Sequence, residues 1–286
     1  MKKAQLIFDA KAELGESPLW DSENKILYWA DITRGELHRF NPADGSDSAV
    51  KSGRFLSDIV LSKNGLLLAK EDGLHLCGDG GDSSFLGAPE GYAGRFNDGK
   101  CDPKGRLYIG TCGCGEGNAN LYRFFDGKWD VALSGISISN GIVWSADGKT
   151  MYYTDTATKE IWAFDYSLKD GSLSNKRVAV VFANGEGGPD GMSIDSDGML
   201  WVAQWGAFRV GRWNPLTGKC LSYIEVDARN VSACAFGGDD LKTLYITTAR
   251  EGMPEEDAVK YPHSGGLFKA ETDVSGTLFH KYAGRD

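Results

Sequence analysis

Six polar residues occupy matching positions along the sequence, and they include the side chains best suited to bind a cation. Each is followed four positions later by an apolar residue, and the six are Glu16, Ser57, Asn97, Asn140, Asp190 and Ser232. Glu16, Asn140 and Asp190 supply the oxygen ligands that hard divalent cations prefer. Taken singly they fit other roles, since Asn140-Gly141 and Asp190-Gly191 are common turn dipeptides. Their equal placement favours a site for Ca²⁺, Mg²⁺ or Mn²⁺, with Zn²⁺ also possible.

Several familiar catalytic patterns are missing from the sequence. There are only four histidines and no His-Glu-x-x-His, which argues against a histidine-based zinc centre. No Gly-x-Ser-x-Gly elbow occurs, and neither does a glycine-rich phosphate or dinucleotide loop. A covalent serine mechanism and a nucleotide-binding fold are therefore disfavoured.

A strand-like signature recurs six times and predicts the elements that would position these polar residues. Its first core residues lie 40 to 49 positions apart and are Leu27, Leu67, Leu107, Met151, Leu200 and Leu244. This spacing, with alternating segments after several of the signatures, is typical of propeller blades of four short strands. We therefore expect an all-β fold, a six-bladed β-propeller that forms a single domain over residues 1–286.

The six polar positions precede the six signatures, which assigns them to the innermost strand of each blade. Innermost strands run beside the axis, so the six side chains are expected to meet at one channel mouth. The segment from Gln5 to Asp9 is expected to pair with the last blade and to close the ring, which leaves no open seam.

Composition limits the classes of partner. The formal net charge is −9 and the pI is about 5.0, so the basic surface of a nucleic-acid-binding protein is missing. No apolar stretch has the length of a signal-peptide core or a membrane span. The six cysteines form no Cys-x-x-Cys pair, which favours reduced thiols and a cytoplasmic protein. Cys112-Gly113-Cys114 is interpreted as two small residues buried in a turn.

Several segments resemble one known family. They are Leu-Gly-Glu-Ser-Pro-Leu-Trp (14–20), Arg-Phe-Asn-Asp-Gly-Lys (95–100), Ser-Asn-Gly-Ile-Val-Trp-Ser (139–145), Gly-Pro-Asp-Gly-Met (188–192), Cys-Ala-Phe-Gly-Gly (234–238) and His-Ser-Gly-Gly-Leu-Phe (263–268). In this order they are similar to the senescence marker protein, gluconolactonase and regucalcin group. The resemblance implies a six-bladed propeller, a metal site at Glu16, Asn140 and Asp190, and substrate contacts at Arg95 and Asn97.

The chain departs from this family in one loop. Many members carry a substrate-contacting glutamate in a longer loop after the third blade signature, where this chain has the compact segment 111–120. The resemblance assigns that role to Glu116 and leaves substrate size and preference open. Asp98 is interpreted as a turn residue, and Lys100 and Trp205 are candidates for the channel mouth.

The expected reaction is the metal-assisted hydrolysis of a sugar lactone. The metal would act as a Lewis acid on the lactone carbonyl, and Asp190 would be the general base for the attacking water. Arg95 would donate hydrogen bonds to the substrate, with Asn97 in support. The expected ligands are one divalent metal ion (Ca, Zn, Mg or Mn) and a small-molecule sugar lactone.

Three alternatives stay open at this point. The first is a hydrolase of another ester, such as an organophosphate or a phosphorylated lactone, although the channel shows no Lys/Arg cluster for a phosphate. The second is a calcium-binding regulatory propeller without catalysis, and the third is an interaction scaffold. The identity of the lactone and the oligomeric state are also open, and a monomer is compatible with the sequence.

Overall fold

Short strands separated by tight turns account for nearly all of the regular structure in the computed structural model, which describes residues 2–78 and 82–284. Two strands precede the first blade, β1 (Lys2–Lys3) and β2 (Gln5–Phe8). The strands of blades 1 to 3 are β3 (Gly15–Asp21), β4 (Ile26–Asp31), β5 (Glu36–Asn41), β6 (Ser46–Lys51), β7 (Asp58–Ser62), β8 (Gly65–Lys70), β9 (Gly73–Cys77), β10 (Ser83–Gly87), β11 (Arg95–Cys101), β12 (Leu107–Cys112), β13 (Ala119–Phe125) and β14 (Lys128–Ile136).

The second half of the chain repeats this arrangement. The strands of blades 4 to 6 are β15 (Ser139–Trp144), β16 (Thr150–Asp155), β17 (Glu160–Tyr166), β18 (Leu173–Val181), β19 (Gly188–Ile194), β20 (Leu200–Trp205), β21 (Arg209–Asn214), β22 (Lys219–Glu225), β23 (Asn230–Gly237), β24 (Thr243–Ala249) and β25 (Leu267–Glu271). One 3-10 turn spans Thr156–Thr158, and one short helix, α1, spans Glu255–Lys260. No helix in the described part of the chain is long and apolar enough to cross a membrane.

Each blade is a four-stranded antiparallel meander, which confirms the predicted six-bladed β-propeller. The fourth strand of blade 6 comes from the other end of the chain, because β2 pairs antiparallel with β25 and places Gln5 opposite Lys269. The strand predicted near the N-terminus therefore closes the ring as expected. In addition, β1 pairs parallel with β22 at the outer edge of blade 5.

The core is divided among the interfaces between blades. Six clusters of buried apolar side chains each join two neighbouring blades, and together they cover every interface around the ring. At the closing interface, Trp20 of blade 1 stacks on Tyr245 of blade 6 with ring centroids 5.7 Å apart. The blades are therefore held as wedges around an axis lined by their innermost strands.

Irregular pairing marks the polar positions of five innermost strands. The bulges lie between Glu16 and Leu19, Phe96 and Gly99, Ser139 and Ile142, Pro189 and Met192, and Val231 and Ala233. A bulge leaves a residue outside the regular pairing and re-aims its side chain. Asn97, Asn140, Asp190 and Ser232 lie within these bulges, and Glu16 borders the first one while pairing with Ala30. Ser57 lies directly before β7 and is buried.

Asn140-Gly141 and Asp190-Gly191 lie inside innermost strands, as their equal placement predicts, and do not form the turns that such dipeptides suggest when taken singly. Their glycines allow neighbouring blades to approach closely. A Cβ on Gly141 would lie 2.5 Å from the carbonyl oxygen of Asp190, and one on Gly191 would lie 2.5 Å from Cβ of Ala233. Glycine is needed here for interblade packing.

Candidate active site

A cavity of about 400 Å³ brings together five of the six predicted site residues. They are Glu16, Arg95, Asn97, Asn140 and Asp190, contributed by β3, β11, β15 and β19. Leu14, Ile138 and Trp205 add apolar wall, so the cavity has the mixture of apolar surface and convergent polar groups that is typical of a small-molecule site.

Glu116 does not lie in this cavity. It is exposed in the turn between β12 and β13, and although Cys112 and Gly113 at the start of this turn line the cavity, Glu116 does not. Its assignment as a substrate contact stays a prediction.

Two carboxyl groups that line the cavity, those of Asp190 and Glu16, have raised pKa values. Asp190 is only 4% exposed, and burial raises its pKa well above the ordinary value, with the charges of Glu16 and Asp98 raising it further. Burial, followed by the charge of Asp98, raises the pKa of Glu16 to about 8. Without a cation, the site therefore favours protonated carboxyl groups.

A chain of hydrogen bonds connects blades 3, 4 and 5 across the site. Arg95 Nη1 donates to Asn97 Oδ1 at 2.6 Å, and Asn97 Nδ2 donates to Asn140 Oδ1 at 2.7 Å. Asn140 Nδ2 donates to Thr156 Oγ1 at 2.8 Å, and that hydroxyl donates to the carbonyl oxygen of Pro189 at 2.7 Å. Asn97 therefore orients both Arg95 and Asn140, which gives it a structural connection beyond the predicted contact with substrate.

Two aspartates hold the backbone segments that lead into the strands of Glu16 and Asn140. The sequence analysis missed both. Asp31, at the end of β4, accepts hydrogen bonds from the backbone amides of Glu13 and Leu14. Asp155, at the end of β16, accepts from the amides of Ser137 and Ile138, both at 2.9 Å.

The signal for these aspartates was present in the repeat. Among the six signatures, Asp directly follows the strand core in Tyr-Trp-Ala-Asp31 and Tyr-Tyr-Thr-Asp155. Those are the signatures of blades 1 and 4, whose innermost strands supply Glu16 and Asn140.

The interpretation of Asp98 as a turn residue is wrong. Asp98 lies inside β11, at its bulge, and its carboxylate lies 3.3 Å from the Lys100 ammonium. The two side chains are 8% and 11% exposed, so this is a buried ion pair. Lys100 lines a smaller chamber of about 20 Å³ together with Asp58 and is not part of the larger cavity, whereas Trp205 is.

The residues of the larger cavity fit a divalent cation by their chemistry. Asp190 Oδ1 is buried and has no hydrogen-bond partner, which leaves a carboxyl oxygen available for a ligand. No three His, Cys, Asp or Glu side chains group as a metal site in the described residues. A cation here would therefore need the amide oxygen of Asn140 beside the carboxylates of Glu16 and Asp190, and such an oxygen donor set suits hard cations.

Comparisons with known proteins find relatives that match nearly the whole length of the chain. A family model described as the SMP-30/gluconolactonase/LRE-like region matches residues 14–250. The chain is 42% identical to "Putative sugar lactone lactonase YvrE" of Bacillus subtilis (strain 168), over 98% of this chain and 99% of that protein. It is 33% identical to regucalcin of Danio rerio over 99% of each chain.

A solved structure shares the fold closely. The crystal structure of a calcium-binding protein, regucalcin, from Agrobacterium tumefaciens strain C58 superimposes with a TM-score of 0.93 at 28% identity and covers 99% of this chain and 98% of that one. A gluconolactonase from Xanthomonas campestris, at 20% identity and a TM-score of 0.76, covers 96% of this chain and 89% of that one and shows the same fold. The chain therefore belongs to the SMP-30/gluconolactonase/LRE-like family.

Proposed function

We propose that this protein is a divalent-cation-dependent hydrolase that opens a sugar lactone to the corresponding aldonic acid. The observation that carries the proposal is the pair of carboxyl groups, Glu16 and Asp190, that line one cavity, together with the buried Oδ1 of Asp190, which has no hydrogen-bond partner. Family membership supports lactone hydrolysis, since relatives are named for lactonase activity.

The donor set determines what a cation would contribute. Glu16, Asn140 and Asp190 would hold it, and it would supply Lewis-acid polarisation of the lactone carbonyl. Calcium is one candidate because a relative of the same fold is described as calcium-binding. Magnesium, manganese and zinc are the other candidates.

The chain's own residues provide orientation and proton transfer. Arg95 has one nitrogen, Nη1, committed to Asn97 and to the carbonyl oxygen of Phe96, so its other N–H groups can donate to substrate oxygens. Asp190 holds the attacking water and accepts its proton. The water oxygen then bonds to the carbonyl carbon, the ring C–O bond breaks, and the ring oxygen leaves as a hydroxyl after taking up a proton.

The test is a pH-indicator assay over a panel of sugar lactones. The chelated enzyme would be resupplied separately with Ca²⁺, Mg²⁺, Mn²⁺ or Zn²⁺. We expect turnover that depends on the cation and that is lost on chelation. Folded protein that binds a cation but hydrolyses no lactone would overturn the proposal and favour a cation-binding protein without this activity.

A further inference from the structure

We propose that Glu251 is the carboxylate that accepts hydrogen bonds from the hydroxyl groups of the substrate, the part that the sequence assigned to Glu116. This inference rests on the proposed function, and it narrows the substrate class to neutral polyhydroxylated lactones. Glu251 lines the large cavity, whereas Glu116 does not.

The fold holds the backbone of Glu251 in place between blades 6 and 1. Strand β24 ends at Ala249, and the amide of Glu251 donates to the carbonyl oxygen of Glu13 at 2.8 Å. The side chain of Asn230, which is 2% exposed, donates to the carbonyl oxygen of Glu251 at 2.8 Å. The side chain of Glu251 is exposed, but these two hydrogen bonds fix the position of its backbone.

The charge of Glu251 influences the thiol of Cys112, a residue of blade 3 that also lines the cavity. Burial raises the pKa of the Cys112 thiol, Arg95 lowers it, and the charges of Cys114, Asp190 and Glu251 raise it further. One carboxylate oxygen of Glu251, Oε2, accepts from Thr33 Oγ1 at 3.3 Å. This bond engages Oε2, so the other oxygen of a carboxylate that lines the cavity can accept from a second donor.

The remaining walls suit a neutral sugar ring. Trp205 offers an apolar aromatic surface, and Arg95 offers donors for ring or carbonyl oxygens. A carboxylate at the rim is an acceptor for hydroxyl donors, and it repels an anionic substrate. A lactone without hydroxyls leaves this acceptor unused, so the site gains selectivity from Glu251 for substrates that carry them.

The experiment compares E251Q with the matched variant E256Q, which changes an exposed glutamate on α1 that does not line the cavity. Steady-state kinetics would be measured with the cation-loaded enzyme on glucono-1,5-lactone and on δ-valerolactone, which has no hydroxyls. We expect E251Q to lower kcat/KM for gluconolactone about tenfold more than for δ-valerolactone, mainly through KM. E256Q should leave this ratio at its wild-type value.

Binding of the linear polyol glucitol, measured by calorimetry, separates this inference from the lactonase assignment. If wild-type enzyme hydrolysed no lactone but E251Q still weakened polyol binding, the proposed reaction would fail while the hydroxyl-binding role stood. An unchanged selectivity ratio and unchanged polyol affinity in E251Q would overturn the inference. If E116Q changed the selectivity ratio and the polyol affinity while E251Q changed neither, the role would belong to Glu116.

Discussion

Asp190 and Glu16 carry raised pKa values because burial penalises their charged forms, and nearby carboxylates add to this effect, Glu16 and Asp98 at Asp190 and Asp98 at Glu16. A group whose pKa is higher in the folded than in the unfolded state stabilises the fold below its unfolded pKa, and this stabilisation is lost as pH rises through the folded value. For Glu16 the window runs from its ordinary pKa of 4.5 to about 8. Stability of the cation-free protein should therefore fall as the pH rises across this window.

The prediction at this scale concerns melting temperature. We expect the Tm of chelated protein to decrease between pH 5.5 and pH 8.5, and the increase in Tm on adding cation to be larger at pH 8.5. The cation competes with protons for the same oxygens, so its affinity rises as they dissociate. Thermal unfolding with and without chelator measures both, and a cation-induced shift that shrinks with rising pH would contradict this account of the site.

A second prediction separates the role of these carboxylates in function from their role in folding. D190N and E16Q should each lower kcat/KM by at least about a hundredfold. At pH 8 the cation-free variants should unfold at a Tm no lower than that of cation-free wild type, since an amide does not carry the free-energy cost of a carboxyl group whose pKa is raised in the folded state. The matched control is D165N, which changes an exposed aspartate on β17 that is paired with Arg177. Near-normal turnover in D190N would refute the assignment.

The sequence was sufficient to predict that Glu16, Asn140 and Asp190 lie close together, because these residues repeat in phase with the blade signature, and all three line one cavity. It was insufficient for Asp98, because an Asn-Asp-Gly segment has the composition of a turn and only the bulge in β11 shows that it lies within a strand. Glu251 was missed for a different reason. It follows the end of β24, outside the repeated positions, and it reaches the cavity only through the pairing of the ring.

At the scale of the elements, the site depends on how each innermost strand is entered. Asp155 accepts amide hydrogen bonds from Ser137 and Ile138 and so fixes the segment that leads into β15, where Asn140 lies. It also accepts from the amide of Ala157, at the start of the 3-10 turn that contains Thr156. The buried carboxylate of Asp155 therefore positions both Asn140 and the Thr156 hydroxyl, which accepts a hydrogen bond from Asn140.

Removing this carboxylate should affect stability and cation affinity together. D155A leaves buried amides unpaired, and we expect a loss of about 2–4 kcal/mol in the free energy of unfolding. Cation affinity should fall about 10- to 100-fold, as for other groups that orient metal ligands. Urea denaturation and calorimetric titration measure the two effects. The control is D147A, at an exposed turn of the same blade, and unchanged cation affinity in folded D155A would exclude a positioning role.

For the molecule as a whole, the fold was easier to predict than the site. Six signatures at nearly even spacing specify six blades, and the N-terminal strand was found because blade 6 would otherwise lack its outer strand. The parallel pairing of β1 with β22 was not predicted, since two lysines carry no strand periodicity.

Ring closure gives the prediction at this scale. Leu6 of β2 packs against the cluster between blades 5 and 6, and Ile7 and Phe8 pack against that between blades 6 and 1. Deleting residues 1–8 should therefore reduce the free energy of unfolding by about 4 kcal/mol or more, through lost strand pairing and apolar burial. Deleting only residues 1–3 should have a clearly smaller effect. Equal urea midpoints for the two truncations would show that β2 does not hold the ring closed.

The bulges of the innermost strands have a consequence for how such a ring can change over evolution. At a bulge, the side chain is released from the alternation that the neighbouring pairs require, so it can be exchanged without shifting the register of its strand. Four polar side chains at such positions, those of residues 97, 140, 190 and 232, lie on innermost strands of this chain. A few substitutions at these positions can therefore change the chemistry of the channel, while the interblade core that determines folding stays the same.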